Sequence, residues 1–333
     1  MKPFYSKLFK TLPIFIGLLI LSSLFALFKG TEHLDFSKVF EEGNVNNKIF
    51  FDLRLPRVLL AIFVGGTLSL AGAVLQALFR NPLASPFTLG VSGGSAFGAA
   101  LIIGLGLSGG LFGIPLLFLS AFFFALLTVF AVYSLSKIKG VVLTGTLLLA
   151  GVIANFFYSA CILLIQYLSD YARTYQTVAW MMGSLDIIGM NMLLWAMPLL
   201  ILGWILLIGE AKGLNVITQG EEIALSLGIE VSNLVKRVYF VSSLLVGISV
   251  AIAGPIGFVG LIVPHIIRMI IGQDMRIVLP LSLLSGSTFL VLADLFARTL
   301  ISPTQLPVGL ITAFWGVPFF LFLLRQKRKE LAF

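Results

Sequence analysis

Ten stretches of this chain are apolar over nearly their whole length: 11–28, 57–79, 88–107, 113–136, 141–168, 192–209, 234–253, 256–272, 277–298 and 307–324. A helix needs about 20 apolar residues to cross the hydrocarbon of a bilayer. Runs of this length, broken only by charged or Pro/Gly residues, predict an all-α polytopic membrane protein with about ten transmembrane helices. Composition agrees, at 59% hydrophobic and 11% charged, where soluble domains hold about 25% charged residues. Residues 1–333 therefore read as a single transmembrane domain, with no soluble domain, low-complexity linker or internal repeat. Three boundaries are weak. The third run is Gly-rich, the seventh and eighth are split only by Gly254-Pro255, and the fifth is long enough to tilt or break near its outer end. The first run follows Lys2, Lys7 and Lys10 as a signal peptide would, but no small-x-small cleavage site precedes Lys29, so it is read as a retained helix.

Ten spans put both termini on one side. With the N-terminus in the cytoplasm, 15 of the 22 lysines and arginines lie inside, among them Arg80, Lys137, Lys139, Lys212 and the terminal clusters. Lys29, Lys38, Lys48, Arg54, Arg57, Arg173 and Arg298 fall outside. That bias satisfies the positive-inside rule, and it accounts for most of the net charge of +8. No basic stripe interleaved with aromatics marks a nucleic-acid surface. The external segment 29–53 carries Glu32, Asp35, Glu41, Glu42 and Asp52 in no recognisable pattern, and its role is open.

One polar island, within 212–237, interrupts the apolar runs on the cytoplasmic side, between the sixth and seventh spans. Thr218 and Glu221 fit the S/T-x-x-E capping box of a helix start. Glu221 and Glu222 suit the positive end of the helix dipole, and Gly228 supplies a left-handed stop. Ile223, Ala224 and Leu227 then form an apolar face with nothing in their own loop to cover it. A short, capped helix outside the membrane with such a face is built to touch another protein.

The chain carries no source of energy of its own. It lacks a G-x-x-x-x-G-K-[ST] phosphate loop. His33 and His265 are far from each other and from the lone Cys161, so neither metal-ligand spacing nor an intramolecular disulfide is available. Ion-coupled carriers bury paired ionisable residues near the midplane; here the acids cluster at span ends, with Asp294 the nearest exception. Gly65, Ser69, Gly72 and Gln76 recur on one helical face, and Gly90, Gly94 and Gly98 repeat as small-xxx-small, the pattern of closely packed helices. Asn155, Ser159 and Gln166 share a face of the fifth run, where they either line a polar path or bond neighbouring helices.

Several motifs follow one another in order: Arg54-Leu-Pro-Arg57; Gly72-Ala-Val-Leu-Gln-Ala-Leu-Phe-Arg-Asn-Pro-Leu-Ala-Ser-Pro86; Leu89-Gly-Val-Ser-Gly-Gly94; Trp180-Met-Met-Gly-Ser184; Gly257-Phe-Val-Gly-Leu-Ile-Val-Pro-His-Ile-Ile-Arg268; Leu292-Ala-Asp-Leu-Phe-Ala-Arg298; and Gln305-Leu-Pro-Val-Gly-Leu-Ile-Thr-Ala313. Together they resemble the permease family of bacterial ABC importers for iron(III)-siderophores, haem and vitamin B12, over about residues 50 to 325. The resemblance implies a non-catalytic type II importer subunit in the cytoplasmic membrane, with ferric siderophore the first substrate expectation and corrinoid or haem the next. It implies a dimer with a second permease copy or paralogue, two ATPase subunits that bind ATP and Mg, and an external substrate-binding protein. Gly220, Glu221, Ala224, Leu227 and Gly228 match the helix that couples to the ATPase. Arg54, Arg57 and Arg298 match external arginines that pair with glutamates of the binding protein, a role suited to a permanent, bidentate cation. Snorkelling anchorage is the plainer role for the same three residues. Asn81 and Pro82 match a structural turn after the second span, and Pro264, His265 and Arg268 lie near the cytoplasmic end of the eighth. Two rival classes, a secondary carrier working without ATP and a non-transporting scaffold, are disfavoured by the lack of buried charge pairs and by the ordered motifs.

Overall fold

The computed structural model describes residues 2–30, 34–41, 43–111, 113–138, 141–142, 144–186, 190–301 and 303–330. Of the residues singled out above, Glu32, His33, Glu42 and Lys139 lie outside the described set. The chain begins with α1 (Lys2–Phe28), then α2 (Val45–Lys48), whose helix continues through a π-helical stretch, Ile49–Arg54, into α3 (Leu55–Leu78). A tight turn leads to α4 (Val91–Leu105), a small hairpin β1 (Gly110–Leu111) and β2 (Ile114–Pro115), and α5 (Leu116–Leu135). A second hairpin, β3 (Lys137–Ile138) and β4 (Val141–Val142), precedes α6 (Thr144–Leu168) and the short α7 (Tyr171–Met181). Then come α8 (Met190–Gly209), α9 (Ala211–Ile217), α10 (Glu221–Ser226), α11 (Val231–Ala253), α12 (Val259–Ile271), α13 (Met275–Thr299) and α14 (Val308–Glu330).

All ten expected runs are helical. Among the described residues, seven helical segments are long and apolar enough to cross a membrane, and three more, Val91–Leu105, Val259–Ile271 and Val308–Phe322, are apolar but shorter. The weakest expected boundary proves real: α11 stops at Ala253, and Gly254 and Phe258 both take left-handed backbone before α12 begins. At 13 residues α12 is only about 20 Å long, short of the roughly 30 Å of hydrocarbon.

Nearly every residue of α3 is buried, and it forms the axis of the bundle, against α8, α11, α12 and α13. The small-residue stripe makes this possible. A Cβ on Gly72 would overlap the backbone carbonyl of Gly260 in α12, and one on Gly65 would overlap that of Gly286 in α13. Gln76, one turn on, donates through Nε2 to the same Gly260 carbonyl at 3.1 Å. Without lipid-excluding pressure between apolar helices, close backbone approach of this kind supplies the van der Waals contact that holds them. In α4, Gly94 and Gly98 press on Thr128 and on the Ser120 carbonyl of α5 in the same way.

Three elements depart from the sequence reading. α7 was hidden because its mixed, amphipathic sequence follows directly on the long fifth run. The two hairpins are too short to show a period. The polar island is two helices rather than one, since Ala211–Ile217 forms α9 before α10 begins.

Candidate functional site

Two regions hold most of the residues the sequence singled out. At one end of the bundle, Arg57 lies in the first turn of α3 and Asp294 and Arg298 in the last turns of α13. Asp294 is 1% exposed; its Oδ1 accepts from Arg57 Nε at 2.9 Å, and its Oδ2 forms an ion pair with Arg298 Nε at 2.9 Å. Arg57 Nη1 also donates to Asp186 Oδ1 at 2.9 Å and to Gln305 Oε1 at 2.7 Å. Two guanidiniums thus face two carboxylates, of which Asp294 is buried with them and Asp186 is open to water. Arg54 donates through Nη1 to the carbonyls of Leu27 at 2.8 Å and Phe28 at 3.0 Å, capping the negative end of α1.

Arg54, Arg57 and Arg298 are 5%, 8% and 4% exposed and are engaged inside the chain. The reason is the acid that the sequence left as an exception. Asp294 lies four residues before Arg298 on one helix face, a legible spacing, but its meeting with Arg57, 237 residues earlier, is a product of packing α3 on α13. Asp186 was not foreseen at all.

Beside this set an open cleft of about 300 Å³ is lined by Pro115, Phe118, Trp180, Ser184, Asp186 and Gly254, among others. The 182–186 segment that walls it is held firmly: Ser184 N donates to the Ala253 carbonyl at 2.9 Å, and Leu185 is fully buried. Gly183, at φ +72°, crosses so close to the Pro255 carbonyl that a side chain would not fit.

The second region is the α9–α10 corner. Here the capping box fails. Gly220, at φ +132°, is the N-cap of α10, so Glu221 becomes the first helical residue, and Thr218 instead ends α9, its hydroxyl donating to the Asn215 carbonyl at 2.7 Å. A turn this sharp requires a residue free to adopt positive φ, and Thr218 is not one. The stop at Gly228 is as expected, with φ +77° and Ile229 N donating to the Ala224 carbonyl at 3.0 Å. Ala224 is fully buried against the bundle, so the apolar face is Ile223, Leu225 and Leu227, at 48%, 62% and 66% exposure. Glu221 faces Arg80 across 4.0 Å, a link between exposed side chains worth little by itself. Asn81 shapes the neighbouring turn, its side chain accepting from Leu83 N at 2.9 Å, with Pro82 exposed beside it.

The corner is fastened to α13 through Asp274 and Asn215. Asn215 Nδ2 donates to Asp274 Oδ1 and accepts through Oδ1 from Met275 N, both at 2.7 Å. The Arg276 guanidinium, reinforced by Asn215, pulls the Asp274 carboxyl down to about 2.

The polar face of α6 separates. Asn155 Nδ2 donates to the Phe87 carbonyl at 2.7 Å and so ties α6 to the turn before α4. Ser159 is exposed, and Gln166 is half-buried, its backbone carbonyl accepting from Thr174 in α7 at 3.1 Å. They do not gather into one site. No group of three or more potential metal ligands occurs among the described residues.

Residues 18–326 match the FecCD transport family. The ABC transporter permease protein YvrB of Bacillus subtilis (strain 168), itself uncharacterized, is 46% identical over 286 residues, 84% of this chain and 80% of that protein. The hemin transport system permease protein HmuU of Yersinia pestis is 41% identical, across 85% of this chain and 84% of that one. The cobalamin import system permease protein BtuC of Halobacterium salinarum is 40% identical, across 83% and 73%. Among solved structures, an inward-facing transporter assigned to the metal-chelate type of ABC transporters superposes with a TM-score of 0.84 at 35% identity, over 95% of this chain and 99% of that one.

Proposed function

The chain belongs to the FecCD transport family, a permease subunit of an ABC importer, and from that premise we propose that it carries a bulky metal chelate across the cytoplasmic membrane. It is a non-catalytic membrane component, so the energy comes from ATPase subunits. Iron(III)-siderophore is the cargo of first choice. A corrinoid or haem is the second reading, favoured by the names of relatives at 40% and 41% identity. Because relatives of nearly equal identity carry different cargo, sequence distance does not choose between them.

The observation that carries this reading is the α10 face. Ile223, Leu225 and Leu227 stand exposed on a six-residue helix whose inner side, Ala224, is locked into the bundle. Such a knob transmits force without bending, which suits a groove on an ATPase. In the proposed assembly, two permeases, identical or paralogous, sit with both termini cytoplasmic over two ATPase subunits. A loaded binding protein lands on the opposite face, around Arg57, and ATP binding moves the α9–α10 corner to switch access. Asn155 and Gln166 then serve helix packing, while Ser159 is left on an open face of α6 that a second permease would complete.

The test is to tag the chain, purify it gently from its native membrane, identify its companions by mass spectrometry and assay vanadate-sensitive ATP hydrolysis. Recovery of an active ATPase supports the importer, and a co-purifying binding protein is then tested with ferric siderophore, corrinoid and haem. A chain that purifies alone, under conditions that preserve a known ABC complex, overturns it.

A further inference from the structure

One cation brought forward by the sequence motifs takes no part in either region described above. Arg268 stands in the last turn of α12, and one nitrogen of its guanidinium, Nη2, is shut away from water without a hydrogen-bond partner. Arg54, Arg57, Arg173, Arg237, Arg276 and Arg298 are each met by a carboxylate or a carbonyl. Arg268 Nη2 is met by neither. A guanidinium stays protonated in proteins, so it does not shed its charge to suit a dry setting. A buried charged donor without a partner is more unfavourable than a neutral one. The residue as a whole keeps partial exposure, so an anion reaches the guanidinium from the surface.

The surroundings of Arg268 select the anion. Shortly after α12 ends, Asp274 is bonded to Asn215 of α9, so Arg268 lies at the α9–α10 end of the bundle. Its chain neighbours Met269 and Ile270 are both more than half exposed. His265 brings α14 alongside, its ring 6.2 Å from that of Phe319. There Leu321 and Phe322 are also more than half exposed, and Arg325, one turn on and so on the same helix face, is exposed with them. The sequence goes on with Lys327, Arg328 and Lys329. This corner therefore sets guanidiniums beside apolar side chains at the ends of two helices. An acid on a soluble protein answers the charge alone, whereas a phospholipid answers the charge and covers the apolar side chains with one molecule. We propose that Arg268, with Arg325, binds the phosphate of an anionic phospholipid, whose acyl chains lie on Met269, Ile270, Leu321 and Phe322. The proposal rests on the importer reading only for the side of the membrane, which makes this the cytoplasmic leaflet. A guanidinium grips phosphate through two parallel N–H groups, and its attraction for the anion is strengthened where part of it faces away from water. Held there, the lipid joins α12 to α14 at the end of the bundle that carries α10.

The test titrates the purified full-length chain with dioleoylphosphatidylglycerol and counts bound lipid by native mass spectrometry, with dioleoylphosphatidylcholine as the zwitterionic control. The wild-type chain is expected to bind phosphatidylglycerol about fivefold more tightly than phosphatidylcholine, the equivalent of about 1 kcal/mol. Arg268→Gln is expected to abolish that preference, and Arg268→Lys to retain part of it, since an ammonium binds phosphate as a point charge. Arg325→Gln, at an exposed position that folding tolerates, is expected to lower the preference about twofold. Lys212→Gln removes an exposed cation from α9 at the same end, and is expected to change binding less than about twofold because exposed, separated charges are screened. No preference in the wild type, an unchanged preference in Arg268→Gln or Arg325→Gln, or an equal loss in Lys212→Gln would overturn the lipid site. Excess sodium phosphate is expected to leave the lipid bound, and its displacement would overturn the lipid in favour of free phosphate. Loss of ATPase co-purification in Arg268→Gln, with the lipid preference intact, would assign the guanidinium to an acid on that subunit instead. The lipid titration uses the chain alone, so it stands or falls separately from the recovery of an ATPase.

Discussion

The two ends of the bundle use the same residue types to opposite effect. At the Arg57 end, a carboxylate and two guanidiniums are buried together, and the ionic set joins α3 to α13. At the α9–α10 end, Arg80 and Glu221 face each other in water at 4.0 Å, and the charges there hold little. What secures the second end is the clamp of Asn215 on the partly exposed Asp274 carboxylate, together with one buried alanine. An interior charge set fixes helices relative to one another, whereas exposed charges leave a surface free for a partner.

The sharpest way to break the comparison is Asp294→Ala. It strands two buried guanidiniums and is expected to cost about 3–5 kcal/mol, read as a collapse of the unfolding temperature of the purified chain. An unchanged melting point would mean that water already reaches the set. Asp274→Asn is expected to cost about 1 kcal/mol near neutral pH, after allowance for its partial exposure. The sign follows from a folded value of about 2 against the ordinary 3.8. Its contribution is complete above the ordinary value and is lost as pH falls through the folded one. The stability gap between wild type and Asp274→Asn should therefore close between about pH 4 and pH 2; a gap that persists at acid pH would assign the effect to packing. Smallest in stability is Leu227→Asp, expected within about 0.5 kcal/mol of wild type because the side chain is exposed. It is nevertheless expected to abolish association with the ATPase, measured by co-purification, and retained association would remove α10 from the interface.

Much of this was legible beforehand. Gly72 and Gly65 signalled close helix crossings, since a stripe of small residues in an apolar helix has no other economical use, and the stop at Gly228 followed from its freedom to take positive φ. The start of α10 was misjudged by the same logic, because a Thr/Glu spacing resembles a capping box whether or not the chain turns at Thr218. Arg57 and Arg298 were placed on the outer side by the distribution of lysine and arginine, which says nothing of how deeply they are buried. Their burial depends on a counter-ion contributed by packing.

Apolar run length, set against the thickness of hydrocarbon, determined from sequence alone that the chain is an all-α polytopic membrane protein, and the ordered motifs pointed to its family. Which helices touch, that Asp294 pairs with two arginines, and that Ile223, Leu225 and Leu227 rather than Ala224 form the exposed face were decided only by the tertiary structure. Hydrophobicity and helical period act within a few turns of chain, whereas a contact between residues 57 and 294 depends on how whole helices pack, and no local pattern encodes that.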